Sequence, residues 1–345
     1  IAVKEADLAA SEEPWMNLLM QIPNLTHPDA PVGENDAMNV EIRRSAEPKA
    51  VKDAKDHVEL GKTLDVLDFE RGAKVSGAKF YYLKGRLAIL EQALVRFVLD
   101  ELTAQNFVPL ITPDLAKDEV IIGTGFQPRG PESQIYSIEN NDLSLIGTAE
   151  ITAAGYHMNE TLNEDRLPLR YAALSHCYRT EAGAYGRESY GLYRVHQFTK
   201  VEMFVFALPE QSEAMLAELV RIEEDIWKKL DIPVRTVDIC TGDLGGPAYR
   251  KYDLEAWMPG KTSAGGKGDW GEVTSASNCT DFQARRLGIK VKRRDGSVEL
   301  PHTLNGTAVA TSRAMIAIME NYQQPDGTVK VPQALVPYCG FGKIG

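Results

Sequence analysis

Along Arg194 to Phe206 the chain places charge where a buried strand would carry none. Residues of one parity on a strand share a face. The even positions are Arg194, His196, Phe198, Lys200, Glu202, Phe204 and Phe206; the odd ones are Val195, Gln197, Thr199, Val201, Met203 and Val205. A charged and aromatic face on an otherwise apolar strand is unusual for a core and suits a polar ligand lying along a sheet. Phe198 and Glu202 would stand about 13 Å apart at strand rise, with an aromatic base at one end and a cationic amine at the other. A strand at a sheet edge with one solvated face fits the same pattern equally well.

Arg179 and Glu181 also share parity, on the preceding strand. Arginine offers a planar fork that matches phosphate, and glutamate accepts from an amino group. The triplet alone fits a surface ion pair. With Arg194 across the loop, and Glu272 and Arg313 downstream, the set fits a nucleoside triphosphate gripped by arginines and a metal-binding carboxylate.

These residues need elements to hold them. Leu83, Leu87, Leu90, Leu94 and Phe97 recur at helical spacing and predict a helix ending near Gln105. Met215, Leu219, Ile222, Ile226 and Leu230 predict a second, closed by Pro233; a third is expected from about Ala308 to Asn321. Leu169 to Tyr178 and Val195 to Ala207 read as strands joined by the glycine-bearing loop from Glu181 to Gly191. Strands joined in that way form an antiparallel pair, unlike the strand–helix–strand rhythm of a parallel sheet. Ala2 to Met20 has helix formers interrupted by Pro14, and Gln21 to Asp36 reads as an extended linker. Gly265 to Gly268 lacks the helix of a phosphate loop and reads as a turn.

At 345 residues the chain is long enough to bury a large core unaided. Its 43% hydrophobic and 25% charged residues exclude collagen-like, wholly coiled-coil and disordered classes. A net charge of −11 argues against a protein that coats nucleic acid, and Lys290 to Arg294 (KVKRR) reads as a solvated hairpin edge. The four cysteines, at 177, 240, 279 and 339, form no CxxC pair, which fits a reducing compartment. No apolar run is long enough to span a membrane. The chain starts at Ile1 with no leader pattern, as expected of a fragment or processed form.

Five ordered motifs carry a family resemblance. They are Thr148-Ala-Glu150; Tyr178-Arg-Thr-Glu-Ala-Gly-Ala-Tyr-Gly; Gly191-Leu-Tyr-Arg-Val-His-Gln-Phe-Thr-Lys-Val-Glu202; Glu272-Val-Thr-Ser-Ala-Ser-Asn-Cys-Thr-Asp-Phe-Gln-Ala-Arg-Arg286; and Asn305-Gly-Thr-Ala-Val-Ala-Thr-Ser-Arg313. From about Val32 to Tyr338 the chain resembles the seryl-tRNA synthetases of the bacterial and organellar type. The resemblance implies an α+β fold, the class II aminoacyl-tRNA synthetase core, with a mostly antiparallel sheet flanked by helices. Asn106 to Pro113 resembles the first class II motif, which builds a homodimer interface.

The resemblance also implies roles. Arg179, Arg313 and Glu272 would be catalytic. Thr148, Ala149, Glu150, Arg179, Glu202, Asn305 and Thr307 would line the serine pocket, with Glu202 on the ammonium. ATP would meet Arg179, Thr180, Glu181, Arg194, Val195, Phe198, Glu272, Val273, Thr274, Ser275 and Arg313. Among these, Phe198 and Arg313 would sandwich the adenine and Glu181 would reach its amino group. Glu272 and Ser275 would hold Mg2+. Zinc is not expected, since no Cys/Glu/Cys set sits where the archaeal-type variant needs it, and His157, His176 and His302 have no metal spacing. His196 is expected as a core-packed histidine, and Cys177 and Cys279 as inert buried thiols.

The implied partners are L-serine, ATP, tRNA(Ser) and a second copy of the chain, in the cytoplasm or, with a targeting segment, a mitochondrion or plastid. Relatives carry a long N-terminal coiled-coil arm that grips tRNA; here residues 1–48 match only the end of that arm and a linker, and 49–345 the catalytic domain. An armless ligase loading an amino acid onto a carrier protein and a non-catalytic synthetase-like binder are the alternatives. The second is opposed by the presence of Arg179, Glu181, Glu202, Glu272 and Arg313 together.

Overall fold

The computed structural model describes residues 4, 11–12, 14–16, 18–128, 133–181, 190–263 and 266–345. Three expectations fall partly outside them: the helix over 2–20, the loop from Glu181 to Gly191, and the turn at 265–268.

Eight strands form the main sheet: β1 (Val40–Arg44), β2 (Val108–Ile111), β3 (Leu169–Tyr178), β4 (Gln197–Ala207), β5 (Val234–Asp238), β6 (Arg250–Ser263), β7 (Gly266–Asn278) and β8 (His302–Ala310). Their order is β1-β5-β6-β7-β8-β4-β3-β2. Every neighbouring pair is antiparallel except β2 with β3. β4 is therefore interior, and its charged face cannot be a solvated sheet edge. β1 comes from the segment expected as arm remnant and linker, and pairs with β5.

Six helices matter here: α1 (His57–Thr63), α2 (Arg86–Thr103), α3 (Ala149–Gly155), α4 (Ser212–Lys229), α5 (Phe282–Arg286) and α6 (Thr311–Tyr322). The stripe Leu87, Leu90, Leu94 and Phe97 of α2 is buried, as is Leu219, Ile222 and Ile226 of α4. With Met315 and Ile318 of α6 they pack on Val201, Met203 and Val205, the odd residues of β4. Truncating one of these leucines to alanine should cost about 2–5 kcal/mol. Leu83 does not extend the α2 stripe. It lies in the short strand Tyr82–Leu83, because Gly85 at φ +55° turns the chain before the helix begins. The third helix starts three residues later than the expected Ala308: Ala308 to Ala310 still belong to β8, where Ala310 pairs with Lys200. The two alanines suit either state, and the ladder to β4 decides.

On the opposite face a second core forms, where Phe204 and Phe206 pack with Ala149 and Ala153 of α3 and Ala284 of α5. The even face of β4 thus has two fates. Its far half is covered by helix, and Phe198, Lys200 and Glu202 open onto a cavity. The KVKRR run makes the expected hairpin but is not its edge: Lys290–Lys292 pairs with Val298–Glu299 on one side and Thr161–Asn163 on the other, with Lys290 and Lys292 exposed, Val291 buried, and Arg293 paired to Glu210 and Glu299.

Candidate active site

The cavity encloses about 230 Å³. Of the residues singled out from sequence, Thr148, Glu150, Arg179, Glu181, Val195, Phe198, Glu202, Glu272, Val273, Thr274, Ser275, Asn305, Thr307 and Arg313 line it. These positions, from Thr148 to Arg313, converge because β7, β8, β4 and β3 lie side by side in the sheet although they come from separate stretches of the chain. Three expected residues do not line it. Ala149 is fully buried in the second core. Thr180 turns its hydroxyl to the carbonyl of Ser133 at 3.1 Å. Arg194 stands behind the wall and donates to Glu181 Oε2 at 3.2 Å.

One end is carboxylate-rich and closely bonded. Thr307 is the cross-strand partner of Glu202, with Oγ1 donating to Glu202 Oε2 at 3.4 Å. Lys200, which sequence placed on this face without a role, forms an ion pair with Glu202 and donates to Thr148 Oγ1 at 2.8 Å. Both members of the pair are buried, Lys200 at 5% exposure and Glu202 at 2%. Room for these long side chains comes from β3, whose facing residues are Ala173, Ser175 and Cys177. Beside them, Glu150 Oε1 accepts from Gln283 Nε2 at 2.7 Å and Asn305 Nδ2 at 2.9 Å. Burial, then the neighbouring Glu202 carboxylate, push the Glu150 carboxyl up to about 7 against the pull of Gln283. Gln283 is itself fixed. Its amide nitrogen also donates to the Thr124 carbonyl, and its oxygen accepts from Thr303 Oγ1.

The other end holds arginines over rings. Arg179 lies 5.3 Å from the Phe198 ring centroid and donates through Nε to the Gly147 carbonyl at 3.2 Å. Arg313 lies 4.6 Å from the Tyr193 ring and forms an ion pair with Glu272 at 3.1 Å. The cation on Phe198 is therefore Arg179, while Arg313 stacks on Tyr193, a residue sequence reasoning passed over. Burial alone would raise the Glu272 carboxyl, but Arg313 and Lys251 outweigh it and hold it down at about 2. Asp253 moves the opposite way, up to about 7, through burial and the facing Glu272, with Lys251 opposing.

Backbone irregularity does part of this work. On a regular strand Glu272 and Ser275 would face opposite sides. The β6–β7 register shifts between Leu254 and Glu255, where Thr274 pairs with Leu254 and Glu272 with Glu255, so one extra residue is taken up. The bulge brings Glu272 and Ser275 to one side. It turns Thr274 toward α4, where its hydroxyl donates to Glu223 Oε2 at 2.9 Å, and sends Val273 into the core. What Val273 and Thr274 offer the cavity is main chain. His196 is half-buried, and its Nδ1 donates to the Arg179 carbonyl at 2.9 Å, so it steadies the arginine's backbone. Cys177 and Cys279 are buried free thiols, with burial raising both.

A large, mostly antiparallel sheet flanked by helices, with this cavity opening beside α3 and α5 on one face, is the core of a class II aminoacyl-tRNA synthetase. A tRNA synthetase class II core domain (G, H, P, S and T) matches residues 135–322. The serine–tRNA ligase of Treponema denticola is 57% identical over 100% of this chain and 81% of its own length; that of Rubrobacter xylanophilus is 59% identical over 99% and 80%. Among solved structures, seryl-tRNA synthetase from Pyrococcus horikoshii complexed with ATP superposes with a TM-score of 0.92 at 44% identity, covering 99% of this chain and 79% of that one. The chain belongs to the serine–tRNA ligase family, and its function is that of an ATP-dependent serine–tRNA ligase. The carrier-protein and non-catalytic alternatives fall away with that assignment. No helix among the described residues is long and apolar enough to cross a membrane.

Proposed function

We propose that the carboxylate-rich end of the cavity receives L-serine and the arginine end receives ATP. The observation that supports this most is the position of Arg179, which touches both ends. Its guanidinium lies over Phe198, and its Nε meets the Gly147 carbonyl one residue before Thr148. A serine carboxylate oxygen attacks the α-phosphorus there, the bond to the pyrophosphate oxygen breaks, and seryl-adenylate forms. A ribose hydroxyl of the tRNA then attacks the seryl carbonyl and AMP leaves. No protein nucleophile is needed. Arg179 stabilises the charge on phosphorus, and Glu202 faces the serine ammonium, with Thr307 and Asn305 beside it. Phe198 is the surface for the adenine.

Glu272 and Ser275 fit a hard divalent cation. Glu272 is held anionic, 40% of its side chain is exposed, and the bulge sets the Ser275 hydroxyl on the same side. Mg2+ commonly takes one or two carboxylates and completes its shell with substrate phosphates and water. Bound there, it would offset phosphate charge during departure of pyrophosphate.

The chain works as a homodimer in this reading. β2, in the stretch resembling the first class II motif, lies at the sheet edge with Val108 54% and Ile111 88% exposed. Residues 1–48 are read as the root of an N-terminal arm and its linker, with Val40–Arg44 lent to the sheet, and 49–345 as the catalytic domain. The cytoplasm is the compartment the reading implies.

ATP–pyrophosphate exchange with serine, threonine and glycine, followed by charging of tRNA(Ser), tests the proposal. Serine-selective exchange is expected; exchange that ignores amino-acid identity would overturn the pocket assignment.

A further inference from the structure

The stretch that carries Tyr193 and Arg194 is fastened by a residue that no motif marked. His57, the first residue of α1, is 5% exposed, and Glu320 of α6 is 1% exposed. Glu320 Oε1 accepts from the His57 backbone N–H at 3.1 Å, and Oε2 from the Gly260 N–H at 2.8 Å. Backbone N–H groups can only donate, so both carboxylate oxygens are acceptors. His57 Nδ1, 3.0 Å from Oε1, must therefore carry the proton. That leaves Nε2 with a lone pair, and it accepts from the Leu192 N–H at 3.1 Å. The chain runs so close to the ring that a Cβ on Gly191, at φ +60°, would meet Nε2 at 2.1 Å. Only glycine fits there.

We propose that His57, oriented by Glu320, is a positioning residue for nucleotide binding: it fixes the Gly191–Leu192 backbone so that Tyr193 stands at the arginine end of the cavity and Arg194 meets Glu181 behind the wall. The inference rests on the assignment of that end to ATP. One buried pair ties together both halves of a single contact. Glu320 lies on the same helix as Arg313, about two turns further on. Leu192 is followed by Tyr193, whose ring lies under Arg313 at 4.6 Å. Helix and loop are thus held in register through an imidazole with a set tautomer, and Arg194 is delivered to Glu181 by the same backbone. The serine end shares none of these bonds.

The test is ATP–pyrophosphate exchange with ATP and serine titrated separately. His57→Phe keeps the ring volume but leaves the Leu192 N–H without its acceptor. Loss of one such bond should raise the ATP constant about fivefold, with the serine constant within about twofold of wild type. His57→Gln, which returns an amide oxygen near the place of Nε2, should recover most of that. Gly191→Ala, which pushes the chain off an intact His57–Glu320 pair, should reproduce the ATP-selective rise even if His57→Phe does not fold. Leu60→Val, a buried change in the same helix, serves as the control for lost stability alone and should move neither constant selectively. The proposal is overturned if the ATP constant stays at wild type in His57→Phe or Gly191→Ala, or if both constants rise together with falling melting temperature. Arg313→Ala separates the layers. If it too leaves the ATP constant unmoved, the assignment of this end to ATP has failed; if it raises the constant while the His57 and Gly191 variants do not, only the positioning role has failed.

Discussion

The two ends of one cavity are built differently. At the carboxylate end the side chains are bonded to one another: Thr148 to Lys200, Lys200 to Glu202, Thr307 to Glu202, and Asn305 and Gln283 to Glu150. These residues sit on strands and a helix start, and they are buried. At the arginine end the cations rest on rings and carboxylates: Arg179 on Phe198, and Arg313 on Tyr193 and Glu272. Such contacts are ones that an arriving polyphosphate can replace. A small amino acid is best recognised by a site that does not move, because a loose pocket admits its near neighbours. A triphosphate carries enough charge to draw cations away from such contacts. The difference therefore separates stability from catalysis, and mutations at the two ends should fail in different ways.

The largest effect should come from Lys200→Met. Removing one partner of a buried ion pair leaves Glu202 charged and unpaired at 2% exposure. Such losses run to about 3–5 kcal/mol of folding stability. Chemical denaturation should show a lowered midpoint. A wild-type midpoint would mean the carboxylate end is not the rigid one.

Arg179→Ala should do the reverse. Removing a charge-stabilising donor at the reacting centre typically costs about 3–4 kcal/mol of barrier, a loss of a hundredfold or more in serine-dependent exchange. Its cation–ring contact is partly exposed, so the denaturation midpoint should barely move. Exchange within a few-fold of wild type would displace the α-phosphate from Arg179.

Much of the contrast was legible in sequence, and the reason is local. Strand parity from Phe198 to Phe206 separated the two faces of β4, because a pleat is fixed by the residues of the strand itself; the strand starts at Gln197, two residues after the expected Val195, and ahead of it parity fails, since Val195 lines the cavity and Arg194 does not. The strand Leu169–Tyr178 fell where it was expected. The roles of Lys200, Gln283, Tyr193 and His57 were not legible. Gln283 and His57 act through partners far along the chain: Gln283 through Glu150, 133 residues away, and His57 through Leu192, 135 away; Lys200 meets Glu202 only two residues on, but its second partner, Thr148, belongs to another element. No periodicity encodes such a pairing. The β7 bulge was hidden for the same kind of reason, since register is a property of two strands. The offset start of α6 followed from Ala308 and Ala310, whose side chains fit helix and strand alike; the ladder to β4 chose the strand.

Glu202→Gln sharpens the carboxylate end. The change keeps shape and one acceptor but removes the charge that faces Lys200 and, in the proposed reading, the serine ammonium. A charge-assisted bond contributes about 1.5–3 kcal/mol, so the serine constant should rise about 10- to 150-fold while ATP binding measured alone stays near wild type. Calorimetry with a non-hydrolysable seryl-adenylate analogue gives the direct readout. Equal affinity for mutant and wild type would mean that Glu202 serves only to hold Lys200.

Phe198→Ala gives the smallest effect and the finest test, because two contributions oppose each other at that ring. Before ATP binds, Arg179 lies over Phe198 at 5.3 Å, a contact worth on the order of 0.5–1 kcal/mol at a partly exposed site. In the proposed reading, adenine bound to the ring gains stacking but requires the guanidinium to leave it for phosphate. Deleting the ring removes the stack and also releases Arg179 from its resting place, so part of the loss is returned. The net rise in the ATP constant should then be at the low end of aromatic contributions, about two- to fivefold, with the serine constant unchanged. Titration with adenosine, which has the base and no phosphate, isolates the stacking half and should show the larger loss. If the serine constant moved instead, the ring would belong to the carboxylate end, and the division of the cavity into a rigid half and a yielding half would be drawn in the wrong place.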